Sequence, residues 1–225
     1  MCYPRFTGVC FLAVILSQEF ALAGGLTDSV RVNIEARRID ADIQLSGKLD
    51  DPGWNLAKPV EINYEVTPGD NTPAPQKTAV KVVYNARYLY FGFDCKDTDP
   101  SEVRAHLTDR DKCFDDDWVM VLLDTYGDFQ RSYEFVVNPH GIQGDLLRTG
   151  GNEDVSFDAL WESAAAINAS GWTAEMAIPI KSIRFPSKPD QRWVVEFLRN
   201  YPRASRVQIS WVTLDRDNPC LPCQG

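Results

Sequence analysis

Strand-forming runs follow one another along almost the whole chain, and helix has room in only one place. Residues 30–34 (VRVNI) and 78–84 (TAVKVVY) alternate apolar with polar side chains. Asn85 to Arg87 then turns, and residues 88–93 (YLYFGF) run back, a hairpin pattern. Residues 118–123 (WVMVLL) are continuously apolar, as expected of a central buried strand. Residues 133–137 (YEFVV) end at the turn cluster Asn138-Pro139-His140-Gly141. Residues 164–168 (AAAIN) and 172–178 (WTAEMAI) flank Ser170-Gly171 as a second hairpin, and 193–198 (WVVEFL) and 207–211 (VQISW) complete the set. Helix is confined to about one turn at residues 180–184, between Pro179 and Pro186. The clearest loop is residues 69–75 (GDNTPAP). Many short strands with turn residues between them predict an all-β fold. The form expected is an antiparallel β-sandwich, jelly-roll or immunoglobulin-like, with one short helical turn.

Composition narrows the function classes. The chain has 225 residues, is 44% hydrophobic and 24% charged, and carries a net charge of −9. That balance belongs to a folded globular domain. It argues against nucleic acid as a partner, because phosphate affinity needs clustered Lys and Arg. His106 and His140 are the only histidines, so a three-His zinc site is impossible.

The first residues read as an export signal. Arg5 supplies a positive start, residues 9–16 (VCFLAVIL) a short apolar core, and Ala21-Leu22-Ala23 a small-x-small cleavage site. The apolar run is too short to span about 30 Å of hydrocarbon. The expected organisation is a signal peptide over 1–23, a linker over 24–35, the sandwich over 36–215 and a tail over 216–225. The chain is expected to be exported, to the periplasm or the medium. Cys95, Cys113, Cys220 and Cys223 remain after cleavage, an even number in a disulfide-permissive compartment. The natural pairings are Cys95–Cys113 and Cys220–Cys223. The C-x-x-C at Cys220 has no second copy and no strand–helix context, which disfavours a redox or zinc role.

An ordered set of blocks resembles the family 9 carbohydrate-binding modules. Residues 45–54 (LSGKLDDPGW) resemble the family's opening "dG.lde..W", and residues 80–94 its hairpin "v.v.yd...LYv...v.D". Residues 116–124 (DDWVMVLLD) resemble "DD.vev.lD", and residues 133–141 (YEFVVNPHG) resemble "y.f.vn..G". Residues 171–179 (GWTAEMAIP) resemble "gW.aE.aIP", and 193–199 the "w..nf.R" strand. Together they cover about residues 36–215. The resemblance implies a jelly-roll sandwich that binds sugars without catalysis, of xylan or cellulose type. Such modules are usually attached to glycoside hydrolases and polysaccharide catabolism. Similar exported bacterial proteins continue into a β-rich, barrel-like region. Since this chain stops at Gln224-Gly225, the tail is expected to be the truncated start of such a region. The resemblance therefore admits an outer-membrane barrel or a glycoside hydrolase region as a partner. The alternative function is a periplasmic structural or interaction domain that binds no sugar.

Sugar binding needs an aromatic surface for the C–H face of the ring and planar polar side chains for the hydroxyls. Trp161 follows residues 156–160 (SFDAL) in a polar loop, Trp118 begins the central strand, and Trp172 follows a hairpin turn. These three are the expected sugar platform, against core burial as the competing reading. Trp54 is expected to plug one end of the core. Residues 108–117 (TDRDKCFDDD) hold five aspartates, read either as a calcium site through Asp115, Asp116 and Asp117 or as a solvated loop capping its own turns. Bound Ca²⁺ occurs in modules of the family that the chain resembles. Asp145, Asp154 and Asp158 are alternative oxygen donors. Arg110 and Asp111 are expected to bond sugar hydroxyls. Glu175 is expected to be structural, bonded to backbone groups near the Pro179 turn. A glycosidase would need two carboxylates at about 5 Å or 6.5–9.5 Å across a cleft, a separation that sequence does not contain.

Overall fold

The computed structural model describes residues 32–225; the expected signal peptide and residues 24–31 of the linker lie outside the described residues. The strands are β1 (Arg37–Arg38), β2 (Val60–Thr67), β3 (Thr72–Tyr84), β4 (Tyr88–Lys96), β5 (Trp118–Asp124) and β6 (Arg131–Val137). They continue with β7 (Gln143–Thr149), β8 (Asn152–Asp154), β9 (Glu162–Asn168), β10 (Gly171–Pro179), β11 (Val194–Pro202) and β12 (Arg206–Ser210). They pair in the order β8-β7-β6-β5-β11-β12-β2-β3-β4-β10-β9, antiparallel throughout, with β1 parallel to the end of β3. The expected all-β sandwich is what forms. The turn between Pro179 and Pro186 is a 3-10 turn at Ile180–Ser182, joined by similar turns at Pro52–Leu56, Pro100–Glu102 and Leu221–Cys223.

The sheet folds over on itself. Phe197 of β11 meets Phe91 and Phe93 of β4 edge-on at 5.9 and 6.1 Å, although these strands are far apart in the pairing order. One layer is therefore β8-β7-β6-β5-β11-β12 and the other β2-β3-β4-β10-β9. The chain turns the corner where β12 meets β2. Register shifts at Gln208/Ile209 and at Ile62/Tyr64 supply the bend. Alternate residues of each strand fill the space between layers: Leu89, Phe91, Phe93 and Cys95 from β4, Val119, Val121 and Leu123 from β5, Ala174, Met176 and Ile178 from β10. The open edges are tied through side chains. Gln143 Nε2 donates to Trp161 O and Ser163 Oγ (3.0 and 3.1 Å), and Ser163 Oγ donates to Gly141 O (2.9 Å).

Several local expectations change. Residues 32–36 run outside the sheet, because only Arg37 and Arg38 reach the β3 edge. The expected loop at 69–75 shrinks, since β3 already begins at Thr72. Its first residues pair with β2 alone, while pairing to β4 starts at Thr78, so Pro73 and Pro75 sit on an edge. Strands β2, β7 and β8 had no counterpart in the sequence reading.

Each outer face is covered in part. On the β3-β4-β10 side, residues 39–57 lay Ile39, Ile43 and Trp54 over Val83, Tyr90 and Ala177. Trp54 is fully buried there, on the outer face rather than at an end of the main core. Its anchor is Glu175, which accepts from Trp54 Nε1 (2.7 Å), Ser46 N (2.8 Å) and Gly47 N (2.5 Å). Glu175 is thus structural, but through the 46–54 segment rather than the Pro179 turn. Gly47 has φ +78°, and a Cβ there would lie 2.7 Å from the Ala165 backbone. On the β5-β6-β11 side, Cys113 and Phe114 cover Trp118, Met120, Val136 and Leu198, and Leu214 and Leu221 pack beside them.

The expected Cys95–Cys113 disulfide does not form. Cys95 lies between the layers and Cys113 on the outer face of the first layer, so a sheet separates them. Burial pushes the Cys95 thiol up to about 12 and the Cys113 thiol to about 11, which keeps both protonated. Cys220 and Cys223 are disulfide-bonded.

Two predictions follow from these coverings. Glu175→Ala strands three donors at ~1–3 kcal/mol each, so urea denaturation should show a loss of ~3 kcal/mol or more; a smaller loss would mean that the segment is held otherwise. On β11, burial pushes the Glu196 carboxyl up to about 8, partly offset by Ser210 Oγ and the Phe197 N–H. Above the ordinary carboxylate pKa the unfolded chain releases this proton while the folded one keeps it. Stability should therefore fall as pH rises through 4.5 toward 8, at up to about 1.4 kcal/mol per pH unit. Denaturation curves across that window should show Glu196→Gln to be less pH-dependent than the parent.

Candidate functional site

None of the three expected platform tryptophans offers a ring face. Trp172 is fully buried between the layers, opposite Cys95. Trp118 is 6% exposed, beneath the covering loop, with its indole N–H donating to Phe114 O (3.1 Å). Trp161 is 7% exposed and packs edge-on against Phe135 at 5.4 Å. The polar loop before it is drawn inward, because Ala159 N donates to the buried Asp145 (2.6 Å) and Phe157 lies on Tyr133 (5.6 Å). The platform reading is corrected on this ground. Trp54 and Trp211 are also buried, and half-buried Trp193 leans on Phe185.

The acidic stretch divides among separate tasks. Asp115 is exposed and pairs with Arg206. Asp116 accepts from the His106 backbone (3.0 Å) and Asn138 Nδ2 (2.8 Å) and meets His106 Nδ1 (2.5 Å). Asp117 is buried with Arg203 (2.8 Å) and the Arg104 N–H (2.9 Å). Burial raises the Asp117 pKa against the opposing pull of those partners. Three consecutive carboxylates with three sets of partners share no point for one ion, which corrects the expected calcium set.

Among the described residues, Asp111, Asp145 and Asp158 do converge, with ligand oxygens within 4.8 Å of one another. The chain already supplies a cation there. The Arg110 guanidinium reaches Asp145 Oδ1 through Nε (2.8 Å) and again through NH2. It also reaches Gln143 Oε1 (2.6 Å), Ala159 O (2.8 Å) and Asp158 (3.3 Å). A calcium ion would have to displace this fork, so the residues do not fit one. Asp111, with φ +62°, donates its N–H to Gln143 O (3.0 Å) and accepts from Asp145 N (2.9 Å). It thereby caps the free edge of β7 ahead of β8. Arg110 and Asp111 fasten the loop to the sandwich through hydrogen bonds to the protein itself.

The recess lies elsewhere, on the outer face of β3-β4-β10. It has a volume of about 450 Å³. Pairing sets its rows: Ala79 beside Asp94 and Thr173, Lys81 beside Gly92, and Lys96 beside Gly171, which in turn pairs with Asn168. Lys48 and Leu49, held by the Glu175 anchor next to them, wall one side, with Pro59 and Ser170 also lining it. Gly92 permits that wall. A Cβ there would come within 2.5 Å of Leu49 Cδ2 and 3.1 Å of the Trp54 ring. Lys96 Nζ pairs with Asp94 (2.9 Å) and lies 3.4 Å from Ser170 Oγ. The sequence reading missed these residues, although outward polar positions alternating with core residues in 78–84 and 88–96 were a usable signal.

The family model described as carbohydrate family 9 binding domain-like matches residues 45–214. The chain belongs to this family. No curated protein matches it. Solved structures agree on the fold. A family 9 carbohydrate-binding module from Caldicellulosiruptor kristjanssonii in complex with glucose superposes with TM-score 0.58, at 17% identity, over 82% of this chain and 92% of that one. The same organism's module in complex with cellotriose gives TM-score 0.56 at 16% identity, over 79% and 83%. A protein of Bacteroides uniformis ATCC 8492 gives 0.66 at 14% identity, over 84% and 94%. The family 9 fold is thus retained in this chain, with five of its six indoles buried and Trp193 half-buried.

The Arg110 arrangement makes a prediction about this family 9 domain. Its melting temperature should be equal in excess calcium and in EDTA. Arg110→Ala should destabilise it by less than the ~3–5 kcal/mol of a fully buried pair, since Arg110 is 32% exposed. That variant, with its carboxylates freed, should gain a melting temperature that rises with calcium. A calcium-dependent melt of the parent would contradict the arrangement.

Proposed function

We propose that this domain is a noncatalytic saccharide-binding module of the family 9 type, and that the sugar lies in the recess on the outer face of β3-β4-β10. The observation that carries the location is the recess itself, whose lining mixes Asp94, Asn168, Ser170 and Thr173 with Leu49, Pro59 and Ala79. Carboxylate, amide and hydroxyl groups match sugar hydroxyls, and the apolar members provide a surface for the C–H face. Family membership and the glucose- and cellotriose-bound relatives support a saccharide as the ligand class. A xylan- or cellulose-type oligosaccharide is the reading adopted. It goes with export of the chain and with service to polysaccharide breakdown, next to a glycoside hydrolase or barrel region.

One observation favours a second reading, that of a structural or interaction domain: five of the six tryptophans are buried, and Trp193, half-buried against Phe185, lies outside the recess. Calorimetric titration of the purified chain with glucose, cellotriose, xylotriose and the acidic trigalacturonate separates the two. Binding heat with at least one sugar, weakened about tenfold by Asn168→Asp, which keeps the oxygen that accepts from Ser170 N and Oγ but removes the Nδ2 donor, is the expected result. Absence of heat with neutral and acidic saccharides alike would favour the interaction domain.

A further inference from the structure

We infer that the recess selects acidic saccharides, binding the carboxylate of a hexuronic acid residue through Lys48 and Lys81. This rests on the saccharide reading above and adds the charge class of the ligand. The chain carries a net charge of −9 and has only eight lysines. Three of those eight, Lys48, Lys81 and Lys96, line this one recess, against the single carboxylate of Asp94. Glu61 stands opposite Ala79 on β2 and flanks the recess without lining it. Glu175, opposite Gly92, is fully buried under the 46–54 segment with its oxygens engaged.

The three ammonium groups are not equivalent. Lys96 is committed to Asp94. Lys48 and Lys81 enter no ion pair among the described residues. They approach from different elements: Lys81 stands on β3, and Lys48 on the segment that Glu175 pins over the sheet. Two unpaired cations beside a recess of sugar size hold a concentrated positive field on an acidic molecule. A neutral sugar gains nothing from that field, whereas a carboxylate on the pyranose ring does. Thr173 Oγ1 is spent on Gly47 O (2.6 Å) and Asn168 Oδ1 accepts from Ser170 N and Oγ (2.9 Å each), so Asn168 Nδ2 and the Ser170 oxygen are the groups left in the recess to meet sugar hydroxyls beside the carboxylate.

The test is isothermal titration of the full chain with trigalacturonate, cellotriose and inorganic phosphate, in low and high salt. Trigalacturonate should bind about tenfold or more tighter than cellotriose in low salt, and the advantage should shrink as salt screens the pair. The double variant Lys48→Gln/Lys81→Gln should remove most of the advantage with an unchanged melting temperature, since neither ammonium group is ion-paired among the described residues. Lys181→Gln, outside the recess, should change nothing. Equal binding of the two sugars, or an advantage that survives the double variant, overturns the acidic selection and leaves the saccharide reading standing. Phosphate competing as well as trigalacturonate also overturns it, as that would be an anion site that does not read sugar. Heat from neither sugar overturns both readings.

Discussion

The carboxylate of Glu175 holds the one piece of irregular chain on which the recess depends. A buried carboxylate is tolerable only when its lone pairs are filled. Here the indole N–H of Trp54 and the amides of Ser46 and Gly47 fill them. The arrangement works in both directions. The segment satisfies the acid, and the acid fixes where the segment crosses the sheet. Leu49 therefore stands at a defined wall with exposed Lys48 beside it, and Gly92 leaves room for Leu49 and the Trp54 ring.

The same logic governs the other polar groups that the sandwich buries. Asp145 is closed in at the edge of β7, and its charge is met by Arg110 and by the Ala159 amide. Burial still raises its pKa, so the partners offset the desolvation only in part. Asp117 and Asp97 are met by Arg203 at another place. In each case a long arginine from one element closes a carboxylate on another, and the loops between strands are held by these forks. The acidic stretch thus supplies fasteners, and the recess lies on the part of the β3-β4-β10 face that the 46–54 segment leaves open.

Much of the fold was legible in the sequence because strand signals are local. The alternation in residues 78–84, the apolar run at 118–123 and the hairpin around Ser170-Gly171 each depend on neighbouring residues only. Strand β7 escaped because two of its inward positions are polar. Gln143 and Asp145 of β7 point toward the closed edge and are satisfied by Trp161, Arg110 and Ala159. A reader of the sequence sees a loop there, because the partners are supplied by distant segments. The site was less legible for the same reason. Trp161 sits in a polar stretch that looks exposed, and only the inward pull on Ala159 puts it in the core. Lys48, Lys81 and Asn168 are unremarkable singly and become a group only when β3, β10 and the 46–54 segment meet.

By itself the sequence determined that this chain makes strands, that they pair antiparallel through short turns, and that the ordered blocks from Leu45 onward belong to one family of domains. Those properties follow from steric preference and hydrophobic periodicity over a few residues. Tertiary structure alone decided which aromatic rings are covered, which cysteines can meet, and which charges are left without a partner. Each of these depends on how far apart two distant segments come to rest once the sheet has folded over, and no local pattern carries that distance.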